Sequence, residues 1–380
     1  MVIPFNRPYL TGHEFTYIQE AVAAGQLAGN GRFTKQCQAW LEHRVGAPRV
    51  LLTQSCTAAL EMAALLLELE PGDEVIMPSF TFVSTANAFV LRGVRPVFVD
   101  IRPDTLNLDE RQLESAITPR TKAIIVVHYA GVACDMDAVM DIARRHELTV
   151  VEDAAHALMS RYKEKPLGSF GHLATFSFHE TKNVISGEGG ALVINDARFV
   201  ERAEIIWEKG TNRSQFSRGR VDKYTWVDVG SSFLPGELTA AFLWAQLEQA
   251  EQITSMRLEL WNRYRTASSA LDAASVRGPV VPPDCDHNAH LFYLLLPLPA
   301  HRNEILADLN ARGVNAVFHY VPLHSSPAGL RYGRVSGSMS VTDDCSARLI
   351  RLPLWVGMPA EAPEMVVERV RESVAAVSPR

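Results

Sequence analysis

The chain has 380 residues, with 47% hydrophobic and 21% charged side chains and a formal net charge of −6. That composition is ordinary for a globular enzyme of one large or two smaller domains, and it excludes a disordered, collagenous or coiled-coil chain. With no basic excess to neutralise a phosphate backbone, a general nucleic-acid binder is excluded as well.

The chain opens Met-Val-Ile-Pro-Phe-Asn-Arg-Pro. No basic segment precedes an apolar one, so no signal peptide is expected. Apolar runs are broken well short of a bilayer's thickness, so no membrane span is expected. The first strand is predicted at Val50–Thr53, followed by a helix from Thr57 that ends at Pro71-Gly72. Further strands are predicted over Glu74–Met77, Pro96–Asp100, Lys122–His128 and Leu148–Glu152, with helices over Ser84–Leu91 and Asp135–His146 between them. This alternation predicts a mainly parallel sheet buried on both faces. A further apolar strand, Ala174–Phe178, leads into Ser177-Phe-His-Glu-Thr-Lys182 and then Gly187-Glu-Gly-Gly190. Beyond Asn195 the pattern is more helical. One long helix is expected over Glu237–Ser255, continuing with little break through Met256–Ala274, before a Pro-rich connector at 278–283. A strand over His290–Leu296, a helix over Asn303–Arg312, a strand over Val317–Val321 and a helix over Glu364–Ala375 complete a smaller α+β domain. The boundary falls between 250 and 280, giving units of 1–255 and 256–380.

Five cysteines (Cys37, Cys56, Cys134, Cys285, Cys345) lie far apart and form no C-x-x-C pair. Neither a disulfide framework nor a zinc ribbon is indicated, and a reducing cytoplasm is the expected home.

Three places carry chemistry. Lys182 stands where sheet gives way to loop, the end of an open α/β sheet at which ligands bind. Held among apolar groups, its amine loses basicity and can form a Schiff base with an aldehyde. A surface lysine beside a glycine turn is the alternative. Asp153 ends the strand Thr149–Glu152, and a carboxylate there suits the ring nitrogen of pyridoxal phosphate. It could equally cap a helix or bind a metal, but no cluster at metal-ligand spacing accompanies it. Gln54-Ser-Cys56-Thr57 opens a helix, where backbone N–H groups attract phosphate or simply receive a cap. No P-loop and no G-x-G-x-x-G occurs in strand–turn–helix context.

Cys56-Thr57, Phe80-Thr-Phe82, Asp153-Ala-Ala-His156, Ser177-Phe-His-x-x-Lys182 and Gly187-Glu-Gly-Gly190 occur in this order along the whole chain. Together they resemble the DegT/DnrJ/EryC1/StrS nucleotide-sugar aminotransferases. The resemblance implies fold type I of the pyridoxal-phosphate-dependent transferases: a large cofactor-binding domain with a short N-terminal arm, and a smaller C-terminal domain. It assigns Lys182 to covalent attachment of pyridoxal 5'-phosphate and to proton transfer. It sets Asp153 against the ring nitrogen, His156 near the 3'-oxygen and Phe82 on the ring face. Cys56, Thr57 and Ser177 would hold the phosphate. The cross-subunit Gly-x-Asn-x-Arg pattern of the family reads Gly230-Ser-Ser232-Phe-Leu234 here, so Ser232 stands for the asparagine and Leu234 for the arginine.

Substrate-side candidates are His319 and His324 in Val317-Phe-His-Tyr-Val-Pro-Leu-His324, and Asn212 with Arg213. Histidines can donate to a diphosphate or a sugar, and a guanidinium grips a carboxylate or phosphate with two hydrogen bonds. A structural histidine and a surface ion pair are the plainer readings. The segments 76–89, 127–134 and 208–216 narrow the resemblance to members acting on dTDP-4-keto-6-deoxyhexoses. The implied reaction moves an amino group from L-glutamate to C4 of the sugar, in a homodimer with shared sites. A 3-keto sugar is the nearest rival. Relatives that dehydrate the sugar carry histidine where Lys182 stands, and a catalytically idle binding protein would have no need of the full set of cofactor residues.

Overall fold

A computed structural model describes residues 2–377; the last three residues of the expected C-terminal unit lie outside it. Seven strands follow the apolar runs: β1 (Arg49–Thr53), β2 (Glu74–Pro78), β3 (Arg95–Val99), β4 (Thr121–Val127), β5 (Thr149–Asp153), β6 (Leu173–Ser177) and β7 (Gly190–Ile194). Four more come later: β8 (Phe292–Leu295), β9 (Val317–Phe318), β10 (Arg334–Val335) and β11 (Leu349–Leu352). The main sheet has eight strands in the order β1-β7-β6-β5-β4-β2-β3-β10. All neighbours are parallel except β7, which runs antiparallel to both β6 and β1.

Side chains alternate across this sheet. Val50, Leu52, Ile76, Val97, Ile124, Val126 and Val150 point into one core. Leu51, Val75, Met77, Phe98, Ala123, Ile125 and Val151 point into the other. Both faces are covered, so these strands read as continuous apolar runs. A third core is built from Leu260, Trp261, Phe292, Leu294, Ile350, Val366 and their neighbours, joined by Ile3 from the N-terminal arm. It lies against the antiparallel sheet β8-β11-β9.

Several elements differ from the sequence reading. Two helices precede β1: α1 (Glu14–Ala23) and α2 (Arg32–Val45). The long C-terminal helix is broken at Gln249, into Glu237–Glu248 and Ala250–Ser268, and gives way to a 3-10 turn at Ser269. The break follows from a backbone at φ −108°, ψ 10°. β9 stops at Phe318 because only Val317 and Phe318 find partners on β11. β7 and β10 were not expected at all.

The buried Glu237 explains how α2 starts without a cap of its own. Its carboxylate accepts hydrogen bonds from Gly31 N (2.9 Å), Phe33 N (2.9 Å) and Thr34 N (3.1 Å). An anion among the first N–H groups of a helix satisfies them and complements the dipole. Helix α3 (Cys56–Leu66) is capped locally, with Ser55 Oγ accepting from Ala58 N at 3.1 Å. Helix α4 (Val83–Val90) follows β2 and flanks the same end of the sheet.

Candidate active site

The carboxyl ends of β4, β5 and β6, the start of α3 and the loop before α4 enclose a cavity of about 390 Å³. This is the end at which open α/β sheets bind ligands. At one side, Cys56 and Thr57 begin α3, with Thr57 Oγ 2.8 Å from Ser84 Oγ. Gly190 closes up behind them: a Cβ there would lie 2.4 Å from Cys56 N, so only glycine lets β7 run this close to the helix start. Ser177, opposite Gly190 in the β6–β7 ladder, brings its hydroxyl to the same rim. The Cys56 thiol is pushed up to about 12, chiefly by burial, and so stays uncharged beside this dipole.

Asp153 ends β5 and is 5% exposed. One carboxylate oxygen accepts from Thr85 Oγ at 2.7 Å and the other from Ala155 N at 3.2 Å. Burial still raises it above the ordinary carboxylate range. Among the described residues it has no ion-pair partner, so a cation in the cavity would complete it. Lys182 lines the same cavity, and its amine is lowered to about 8, first by burial and further by the charge of Arg351, while Cys56 and Asp153 oppose the shift. An ordinary lysine is fully protonated at neutral pH; this one keeps an appreciable fraction of free amine.

The opposite wall is built of rings. His156 stacks on His290, with centroids 4.1 Å apart at 27°. His156 Nδ1 accepts from Ala130 N at 3.4 Å, and His290 Nδ1 donates to Asn183 Oδ1 at 3.0 Å. Burial holds both rings well below the usual histidine range, so the stacked pair is neutral. Buried Arg257 holds this loop through the carbonyls of Ala289 (3.1 Å) and His290 (2.7 Å). His319, Tyr320 and Arg351 complete the wall.

The structure therefore brings Cys56, Thr57, Phe82, Asp153, His156, Ser177, Lys182 and His319 around one cavity. Phe82 stands at its mouth, 58% exposed. Four expected residues lie elsewhere. His324 bonds Ser79 Oγ at 2.7 Å and faces Asp343 at 3.4 Å, outside the cavity lining. Asn212 Oδ1 accepts from Thr225 N at 2.7 Å, holding a surface loop. Arg213 is exposed, 3.9 Å from Glu208, and with Ser232 lines a separate polar hollow. Leu234 packs against the apolar core. Thr85, His290, Tyr320 and Arg351 are among the cavity residues that the sequence reading did not assign to the site. Of these only Arg351 left a sequence signal, as the single charge inside the run Leu349-Ile-Arg-Leu-Pro.

No group of three His, Cys, Asp or Glu side chains among the described residues could hold a metal ion. No helix there is long and apolar enough to cross a membrane.

Comparison with known proteins adds independent weight. The model of the DegT/DnrJ/EryC1/StrS aminotransferase family matches residues 8–371. The spore coat polysaccharide biosynthesis protein SpsC of Bacillus subtilis is 33% identical, over 98% of this chain and 97% of its own. The UDP-4-amino-4-deoxy-L-arabinose--oxoglutarate aminotransferase of Shewanella sediminis is 31% identical, over 98% of each chain. Among solved structures, the PLP form of the putative sugar aminotransferase Spr1654 of Streptococcus pneumoniae superposes with a TM-score of 0.92, at 26% identity and full coverage of both chains.

The donor set fits pyridoxal phosphate: free N–H groups at the start of α3 for a phosphate, a partly neutral amine for an aldehyde, and an unpaired buried carboxylate for a ring cation. The chain belongs to the DegT/DnrJ/EryC1/StrS aminotransferase family and is a pyridoxal-phosphate-dependent aminotransferase.

Proposed function

We propose that this enzyme transfers the amino group of L-glutamate to C4 of dTDP-4-keto-6-deoxy-D-glucose, yielding dTDP-4-amino-4,6-dideoxy-D-galactose for a surface polysaccharide of the enterobacterial common antigen type. The observation that carries the chemistry is Lys182, its amine lowered to about 8, in one cavity with the unpaired Asp153. Support for the substrate class comes from the relative named for a 4-amino sugar nucleotide and oxoglutarate, the keto acid that glutamate becomes. The segments 76–89, 127–134 and 208–216 support the particular sugar.

In this reading the bound cofactor supplies an electron sink for cleavage of a C–H bond next to nitrogen. The protein's own groups do the rest. Cys56 N, Thr57 N and Ser177 Oγ would hold the phosphate, and Phe82 would cover the ring face. Asp153, oriented by Thr85, keeps the ring nitrogen protonated. His156, neutral and stacked on His290, presents a hydrogen-bonding edge to the ring oxygen. Lys182, where its amine is free, would take up and return the substrate's proton at Nζ, a task suited to a base titrating near neutrality. Asn212, Arg213, Ser232 and His324 serve the site only from the partner subunit or after closure. A homodimer fits this arrangement, since Tyr224, Trp226, Val227 and Val229 are all exposed on the loop between Arg213 and Ser232.

The test is the absorption spectrum of the holoenzyme. L-Glutamate should convert the lysine-bound cofactor band to the amine form, and dTDP-4-keto-6-deoxyglucose should restore it. Restoration only by a 3-keto sugar would move the reaction to C3. A protein that takes up the cofactor but responds to neither partner would sink the proposal.

A further inference from the structure

The loop 287–290 enters from the C-terminal portion of the chain and grips one residue, His156, at two points. Asn288 is buried and donates from Nδ2 to the carbonyls of His156 (2.7 Å) and Leu158 (2.8 Å), fixing the turn after β5. His290 lays its ring on that of His156, with the centroids 4.1 Å apart. Between the two, Ala289 stands at φ +52°, a left-handed conformation that a residue with a Cβ seldom adopts. Gly131 makes room on the far side, since a Cβ there would lie 2.1 Å from Asn288 Oδ1. Buried Arg257, which meets no carboxylate among the described residues, donates to the carbonyls of Ala289 and His290. Asn183, the chain neighbour of Lys182, donates from Nδ2 to Asn288 O at 2.7 Å and accepts at Oδ1 from His290 Nδ1 at 3.0 Å. With its amide nitrogen turned to a carbonyl, the Asn183 oxygen can only accept, which places the His290 proton on Nδ1.

The stacked rings therefore carry opposite tautomers. His156 Nδ1 accepts from Ala130 N, so its own proton is on Nε2. Neither Nε2 has a protein partner among the described residues, and both rings line the cavity. The single hydrogen bond from Ala130, at 3.4 Å, leaves the His156 ring free to swing unless its face is covered. His290 covers it, and is itself tied by its ring to Asn183 and by its carbonyl to Arg257. A loop that only joined the small sheet to the main one would need neither the left-handed Ala289 nor an imidazole face. We propose that His290, tethered by Asn183 and Arg257, is a positioning residue that holds His156 as an Nε2–H donor aimed into the cofactor cavity. This rests on the reading of His156 at the cofactor's ring oxygen, where a fixed donor favours the ionised form of that oxygen.

The test uses holoenzyme with isotope-labelled histidine, read by NMR and by absorption, the His156 signal being the one lost in His156→Gln. In the wild type the His156 Nε2–H should be protected from exchange with water, and the lysine-bound cofactor should absorb mainly in the band of the ionised ring oxygen. His290→Ala should speed that exchange roughly tenfold, the scale of losing one aromatic stack, and move intensity to the neutral-oxygen band. His290→Phe restores the stack without the tether and should recover part of both signals. Asn183→Ala leaves both rings in place but frees His290, so it should fall between wild type and His290→Ala; it carries the same test if His290→Ala does not fold. A residue that only fills space would lower the melting temperature in these variants and leave exchange rate and band ratio unmoved, and that result would overturn the inference. A higher KM for the sugar nucleotide with both spectra unmoved would overturn it too, by making His290 a substrate contact. Should exchange respond while the band ratio does not, the placing of His156 at the ring oxygen would fall and its positioning by His290 would stand.

Discussion

At the scale of single residues the site depends on what burial does to charge. Lys182 and Asp153 are each shifted toward their own neutral form: the amine down, the carboxyl up, each mainly by desolvation. Attachment of the cofactor to the apoenzyme needs the free amine. The rate should therefore climb as pH rises through about 8 and level off above it, read by stopped-flow absorbance. Asp153 opposes the lowering, so Asp153→Asn should move the midpoint below that of the wild type; a midpoint that rises instead would show the sign is wrong. Gly190→Ala tests the close approach at the phosphate end. Its new Cβ meets the backbone of Ser55 and Cys56 at 2.4 Å, so the helix start must give way. Cofactor affinity should drop tenfold or more, with about 1–3 kcal/mol of stability, measured by fluorescence titration and thermal unfolding.

Elements show why part of this could be foreseen. β2, β4 and β5 are apolar on both faces, so their sequences announce strands, and Asp153 is conspicuous as the charge where such a run stops. Lys182 was visible for a similar reason, standing between β6 and the glycines that open β7. α2 was not visible, because its cap is Glu237, some 200 residues away, and no local signal marks its start. His290 and Arg351 escaped for a like reason. Each belongs to the small antiparallel sheet or its approach, and only the third dimension brings them opposite Asp153. The edge of the main sheet repeats the lesson: Glu74 on β2 is fully buried and accepts from Nε and Nη2 of Arg334 on β10, at 2.9 and 2.7 Å. With Thr118 and Arg120 assisting, its pKa is held at about 2. A depressed carboxylate contributes stability above its unfolded pKa of about 4.5 and loses it as pH falls through about 2. Glu74→Gln should cost about 2–3 kcal/mol near neutral pH and flatten the acid limb of a denaturation profile over that window.

Across the whole molecule, the cofactor cavity is a joint product of the main sheet and the C-terminal portion of the chain. Its floor comes from strand ends of the main sheet and its wall from His290, His319 and Arg351. If the exposed loop of Tyr224 and Trp226 meets a second copy, cofactor retention should fall in a dilution series that separates the subunits; retention unchanged across that series would count against a shared site. The path of the chain has a mechanical consequence too. Ile3 is plugged into the C-terminal core, hydrogen-bonded to Gly313 and Asn315. Conversely, Arg334 and Val335 from the C-terminal portion form the outermost strand of the main sheet, and Cys285-Asp286 pairs with Arg161-Tyr162. Each half thus holds a piece of the other, like two hands with fingers interlaced. A cut after residue 255 would not release two independent bodies, and any opening of the cleft must bend around these straps rather than swing on a single hinge.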